Sequence, residues 1–152
     1  MPLNAQIALS LIAHETTAGD LSQTLRATPV SYAVSLSDGS GANQAQVVWS
    51  ATRTLSGASE SLPLAALQDT RDGSPATVTM TAVKAAFVRN KGASSVSFAG
   101  APFPSAGITA AAGATIVLCD PSAAGMAASG VTVTGTVGGS YDIVFVGEGT
   151  VT

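Results

Sequence analysis

Residues 76–90, ATVTMTAVKAAFVRN, decide the fold, because they form the longest uninterrupted run with the chemistry of a β-strand. In the first half, up to Ala82, apolar residues alternate with threonines, as in a strand with one buried and one solvated face. In the second half both alternating sets are apolar, which indicates either burial on both faces or a β-bulge near residues 82–84. We therefore place this strand in the middle of the sheet and Phe87 in the core.

Shorter alternating segments flank this strand on both sides. Residues 30–37 have the cleanest alternation, and the turn sequence SDGSGAN that follows predicts a hairpin with residues 46–55. Residues 56–67 predict a short edge strand, because Pro63 cannot donate to a strand ladder. The other predicted strands are residues 6–13, 95–99, 114–119, 131–136 and 140–147.

Turn signals separate these strands and set the fold class. Residues 68–75, QDTRDGSP, predict a surface loop, and residues 100–107 predict a loop in which Phe103 fills a hydrophobic gap. About nine short strands without a convincing long helix are typical of an antiparallel β-sandwich or jelly roll. We predict one all-β domain over residues 1–152, in which residues 1–28 either fold back or form an arm that contacts a neighbouring subunit.

The composition narrows the classes of partner. Charged residues make up 10% of the chain, against about 25% in a typical soluble protein. A surface of small neutral residues suits a protein that packs against neighbours, although a Ser/Thr-rich β-protein without such a partner has the same composition. The six basic residues are scattered, so we predict no nucleic-acid partner. The apolar runs are too short to cross a membrane and no secretory signal is present, so we predict a chain made in the cytoplasm.

Two residues, His14 and Cys119, are candidate reactive groups. His14 is the only histidine, and any Ser-His-Asp or Cys-His pair would have to use it. It lies at the end of a predicted strand without a nucleophile-elbow sequence, so we interpret it as an exposed polar residue. Cys119 is the only cysteine and lies in an apolar run, which favours packing as a small hydrophobic side chain.

The acidic residues do not form a recognisable site. Asp69 and Asp72 share one turn, but the spacing of a calcium-binding loop is missing. Paired carboxylates are typical of glycosidases, yet nothing in the sequence brings any two of Asp120, Asp142 and Glu148 together. We therefore predict no catalytic, cofactor-binding or metal-binding residues.

The seven aromatic residues are predicted to lie mostly in the core, because most occupy the apolar positions of predicted strands. An exposed tryptophan or tyrosine would instead suggest stacking against sugars, and Tyr32 and Trp49 are the candidates. The full set is Tyr32, Trp49, Phe87, Phe98, Phe103, Tyr141 and Phe145.

Four stretches follow one another along the chain: VWSATRTL at residues 48–55 with residues 61–67, VKAAFVRN at 83–90, AAGATIVLCDPSAAGMA at 111–127, and residues 131–147 ending in SYDIVFVG. Together, in that order and spacing, they resemble small virion structural proteins of tailed bacteriophages, over residues 47–147. The turn region YAVSLSDGSGANQAQVVW fits the same group. Arg53, Arg89 and Asn90 match recurring polar positions of the group, and the resemblance implies that they hold strand ends and turns.

The resemblance implies an all-β virion protein without enzyme activity. The first hypothesis is a capsid decoration or cement protein that binds the outside of the head shell, with the major capsid protein and other copies of itself as partners. Trimers at local three-fold points are compatible with it. The alternatives are a neck, tail or fibre-base component, a carbohydrate-binding module that contacts the host surface, and, third, an enzyme.

Overall fold

The computed structural model describes residues 2–17, 23–26, 30–71 and 73–152. Within these ranges the chain consists of strands, turns and bends, with no helix, so the predicted all-β antiparallel class is confirmed. Where about nine strands are predicted, these residues form fifteen, because several short segments pair over only two to five residues. They are β1 (Ala5–Leu11), β2 (His14–Thr17), β3 (Gln23–Arg26), β4 (Val30–Asp38), β5 (Gln44–Ala45), β6 (Val47–Thr54), β7 (Ser59–Leu62), β8 (Leu67–Arg71), β9 (Ser74–Asn90), β10 (Val96–Ala99), β11 (Ile108–Ala110), β12 (Thr115–Cys119), β13 (Met126–Ala127), β14 (Val131–Gly135) and β15 (Ser140–Val151).

The long strand β9 lies at the centre of a six-stranded sheet, as predicted. It pairs with β15 along one edge and with β12, β13 and β8 along the other, and β6 follows β15. The register with β15 shifts twice, and the partners skip Lys84 and Thr81. The predicted irregularity near residues 82–84 is therefore present.

The core lies between this sheet and a four-stranded sheet of order β11-β10-β14-β7. Phe145 and Ile143 of β15 face Phe98 of β10 and Val133 of β14 in one buried cluster. The predicted role of Phe103 is confirmed, because its ring is buried with its centroid 5.6 Å from that of Phe98 and 6.4 Å from that of Phe145.

Strands β1 and β4 pair antiparallel from Ala5 opposite Leu36 to Leu11 opposite Val30, and we call this pair the N-terminal ribbon. Strands β2 and β3, which lie between them in the chain, pair with each other. The predicted hairpin between residues 30–37 and 46–55 is wrong, because β4 pairs with β1 while β6 pairs with β15. The turn between β4 and β6 does not bring these two strands together as a hydrogen-bonded pair. Ser37 N donates to Asn43 O at 3.0 Å, and Asn43 adopts a φ of 56°, so the loop leads β5 parallel to the end of β4 and then into the other sheet.

The prediction of a loop over residues 68–75 is also wrong. β8 pairs with the start of β9 from Leu67 opposite Val78 to Arg71 opposite Ser74. Gly73, with a φ of +78°, lies between the two paired strands. The predicted edge strand is present, since β7 ends at Leu62 immediately before Pro63 and pairs with β14 alone among the strands of the described residues.

Candidate functional site

The three carboxylates considered as catalytic candidates each have a separate partner. Asp120 accepts a hydrogen bond from Ser122 N at 3.1 Å, and the hydroxyl of Ser122, followed by this backbone bond, lowers the pKa of Asp120. Asp142 accepts a hydrogen bond from Thr52 Oγ1 at 2.6 Å, and this bond lowers the pKa of Asp142. Glu148 Oε1 lies 2.8 Å from Lys84 Nζ. Each carboxylate thus stabilises a local contact.

The other polar candidates also have local roles where the structure describes them. Asp69 lies on β8 and forms an ion pair with Arg71 at 2.9 Å. His14 belongs to β2, but its side chain lies outside the described part of the chain, as does all of Asp72. Among the described residues no three His, Cys, Asp or Glu side chains gather in a way that could hold a metal ion.

A buried lysine that sequence reasoning did not single out anchors a loop on β9. Lys84 is fully buried at the first register shift, and its Nζ donates to the carbonyl oxygens of Ser122 (2.6 Å) and Ala123 (2.7 Å). Its contact with Glu148 Oε1 is an ion pair without the angle of a good hydrogen bond, so the two carbonyls provide the directional contacts. One lysine inside an apolar run was the available signal, and it indicates a structural anchor.

A second unexpected polar group links the two sheets. Arg53 of β6 donates through Nε and Nη2 to Glu60 Oε2 of β7 at 3.0 and 2.8 Å, and the buried Tyr141 donates to Glu60 Oε1. Burial raises the pKa of Glu60, but the hydrogen bonds from Arg53 and Tyr141 outweigh that effect and hold the pKa below its ordinary 4.5. Burial, followed by the bond to Glu60, raises the pKa of Tyr141. This group is structural, since it fastens β6 and β15 to β7.

Of Arg53, Arg89 and Asn90, which are expected to hold strand ends and turns, Arg53 near the end of β6 and Asn90 at the end of β9 make such contacts. Asn90 is fully buried at the end of β9, where its Nδ2 donates to the carbonyl oxygens of Ser94, Ala110 and Ala111. Its Oδ1 accepts from Gly92 N at 2.9 Å. Arg89 is exposed and lies opposite Asp142 in the sheet.

Five of the seven aromatic side chains are buried, as predicted, and two are not. Trp49 is buried, its Nε1 donates to Gln68 O at 2.9 Å, and its ring stacks on Phe145. Tyr32 is 42% exposed. Placing Phe87 in the core is wrong, because Ala86 and Val88 point inward and the half-buried Phe87 lies on the outer face of the sheet.

The strongest candidate for a functional surface is one face of the N-terminal ribbon. Its apolar side chains form directly opposed pairs. We call the part of the ribbon formed by the pairs Ala5 with Leu36 and Ile7 with Val34 the base. It packs against Val48, Ala85, Val144 and Val146 on the outer face of the six-stranded sheet, in a second hydrophobic cluster.

The same apolar face is uncovered farther along the ribbon. We call the part formed by the pairs Leu9 with Tyr32 and Leu11 with Val30 the tip. Leu11 and Val30 are each 68% exposed. The hydroxyl of Tyr32 donates to Cys119 Sγ at 3.8 Å, so Tyr32 reaches β12, the last strand on that side of the sheet. Leu11 and Val30 continue beyond this contact.

A groove runs beside the ribbon on the outer face of the sheet. Its volume is about 480 Å³. One wall consists of consecutive β1 residues from Gln6 to Leu9, and the floor contains the cross-strand row Val117, Phe87 and Val144. Among the described strands β1 pairs with β4 alone, so the edge that faces the groove has unpaired backbone groups.

The groove and the tip share the same electrostatic character. None of the described residues that line the groove is charged, and none of residues 6–13 or 30–37 is charged. Ion pairs with a partner are therefore not available from these residues. The groove and the tip are suited to burying apolar area and to pairing with an extended segment of another chain.

Comparisons with family models, with curated proteins and with solved structures find no match to this chain. Within the part of the chain that the structure describes, no helix has the length and apolarity to span a membrane.

Proposed function

We propose that the chain is a non-enzymatic structural protein of a bacteriophage virion, and specifically a capsid decoration or cement protein that binds the outside of the head shell. The phage assignment comes from the sequence resemblance. The observation that carries the binding role is the uncovered apolar face at the ribbon tip, which is free of charged residues and adjoins an apolar groove.

Several features support a role in assembly. A cement protein acts by burying its surface against capsid subunits and against its own copies, and trimers at local three-fold points would fit this arrangement. Contiguous exposed apolar surface on a protein with few charges is typical of an interaction site. The carboxylates that a hydrolase would need are instead engaged in separate local contacts, as Asp142 is with Thr52 and Glu148 with Lys84.

The copy number per particle tests the proposal directly. Quantitative mass spectrometry of purified virions should give one copy, or a simple fraction of a copy, per major capsid subunit. A handful to a few dozen copies would instead identify a neck, tail or fibre-base component. Absence from the particle would overturn the virion proposal altogether.

A thermal measurement tests the cement role separately. A ligand that binds the assembled state stabilises it by mass action, so saturating protein should raise the unfolding temperature of capsids that lack it. The matched controls are capsids with buffer and capsids with the Leu11→Glu variant, which changes the exposed tip. No shift at saturation would count against a cement role.

A second proposed function, a carbohydrate-binding module, depends on Tyr32 alone. Tyr32 is partly exposed beside apolar residues, as a sugar-stacking residue must be, whereas Trp49 is buried. Glycan-array binding by the wild-type protein that is lost in Tyr32→Ala would favour this function. Binding that is unchanged by Tyr32→Ala, or no binding by the wild type, would exclude it.

A further inference from the structure

We propose that the ribbon tip of one copy of this chain lies in the groove of a second copy. The inference deepens the proposed contact between copies of a cement protein, but its test uses purified copies and does not depend on the virion assignment. It joins an exposed apolar surface, the tip with Leu11 and Val30, to a half-buried one, the groove floor with Phe87, Val117 and Val144.

The packing within one chain is the template for this contact. The ribbon base covers a cross-strand row formed by Val48, Val146 and Ala85, and Tyr32 contacts Cys119 at the end of the same row. The groove floor is the adjacent row of the same sheet, and it is also apolar. The tip carries the same kind of side chains, on the same face, as the base. A second ribbon can therefore cover the adjacent row as the first covers its own.

The dimensions favour an extended occupant. Side-chain rows on one face of a sheet repeat every two residues, which is roughly 6.8 Å, and neighbouring strands lie about 4.8 Å apart. The groove floor is the row next to the one that the base covers, so a strand paired with the free edge of β1 would lie over Phe87. The unpaired edge of β1 at residues 6–9 can hydrogen-bond that strand, as in β-strand addition.

The charges favour another copy of this chain as the occupant. None of the described residues that line the groove is charged, so they offer no ion pair to a charged peptide. An occupant needs a charge-free extended segment with an apolar face, and residues 6–13 and 30–37 of this chain provide two such segments side by side. A chain cannot fill its own groove with its tip, because its own β1 forms the wall.

The contact uses two different surfaces, so it is heterologous. Heterologous contacts either close into rings or continue as open chains. Each copy would then give one tip and receive one tip. A closed ring satisfies both surfaces on every copy.

Sedimentation velocity of purified variants tests the proposal. Leu11→Glu changes the tip, and Val117→Lys changes the groove floor. Ser10→Lys, on the exposed opposite face of the ribbon, is the control for the tip. Thr132→Lys, an exposed strand position in the four-stranded sheet, is the control for the groove. Circular dichroism establishes that each variant is folded, and Val117→Ser replaces Val117→Lys if the lysine variant unfolds.

We expect the wild type and both controls to associate. The dissociation constant of both test variants should be at least tenfold higher than that of the wild type. Mixing Leu11→Glu with Val117→Lys should restore association, because one variant retains an intact groove and the other an intact tip. A wild type that stays monomeric at every accessible concentration would overturn the proposal. Loss of association in Leu11→Glu but not in either groove variant would also overturn it, since the tip would then bind elsewhere.

Discussion

The base and the tip of the N-terminal ribbon have the same construction and opposite environments. In both, apolar side chains of β1 lie opposite apolar side chains of β4 on one face. Leu36 at the base is fully buried against the six-stranded sheet, whereas Leu11 at the tip is 68% exposed. The alternation of residues along a strand therefore determines which face is apolar, whereas the burial of that face depends on which other segment packs against it.

The largest expected effect is the difference in the stability of a single copy between a substitution at the base and one at the tip. Leu36→Ala should lower the free energy of unfolding by about 2–5 kcal/mol, because it leaves a cavity in the cluster beneath the ribbon. Leu11→Ala should change it by no more than about 0.5 kcal/mol. Urea unfolding at protein concentrations too low for association measures both. Equal costs would show that the tip is covered within one chain.

The groove floor should have an intermediate cost. Phe87→Ala should lower the free energy of unfolding by roughly half of the 3–5 kcal/mol of a fully buried phenylalanine, because Phe87 is half-buried. The matched core variant is Phe145→Ala, which should show the full loss. If Phe87→Ala proved as costly as Phe145→Ala, the groove would be closed in solution.

Lowering the pH should weaken the group of Arg53, Glu60 and Tyr141 that links the two sheets, and should leave the apolar contacts of the ribbon unchanged. The pKa of Glu60 is below its ordinary 4.5 in the folded chain, so its stabilisation is present above about pH 4.5 and is lost as pH falls through the folded-state pKa. The loss should be about 1 kcal/mol or less, because Arg53 is partly exposed to solvent.

Asp120 and Asp142 shift in the same direction, so the wild type is compared with Glu60→Gln. Unfolding measured from pH 7 to pH 2 should have a shallower acid slope in the variant. An identical slope would exclude Glu60 as a contributor.

The smallest expected effect is the response of association to salt. The tip and the described lining of the groove have no charged residues, so raising the salt concentration should not weaken contact between copies, whereas a contact through ion pairs would weaken by screening. Sedimentation velocity at low and high salt measures this. A marked weakening at high salt would direct attention to charged surfaces such as Arg89 and Asp142.

Much of the framework was predictable because it depends on local pattern. The length of β9, its central place and its irregularity near Lys84 were visible in the alternation of residues 76–90. The hairpin prediction for residues 30–37 was wrong because turn chemistry indicates where a chain bends but not which strand it joins. The groups around Lys84 and Glu60 could not be predicted, since their partners lie far apart along the chain.

By itself, the sequence determined an all-β antiparallel chain with a central long strand and few charges, because strand periodicity and turn residues are local properties. Only the tertiary structure decided that Phe87 faces outward, that β4 pairs with β1, and that one ribbon face is covered at Leu36 and bare at Leu11. The physical reason is that burial is a relation between segments distant in sequence. One apolar alternation therefore produces a core at one end of the ribbon and an exposed surface at the other.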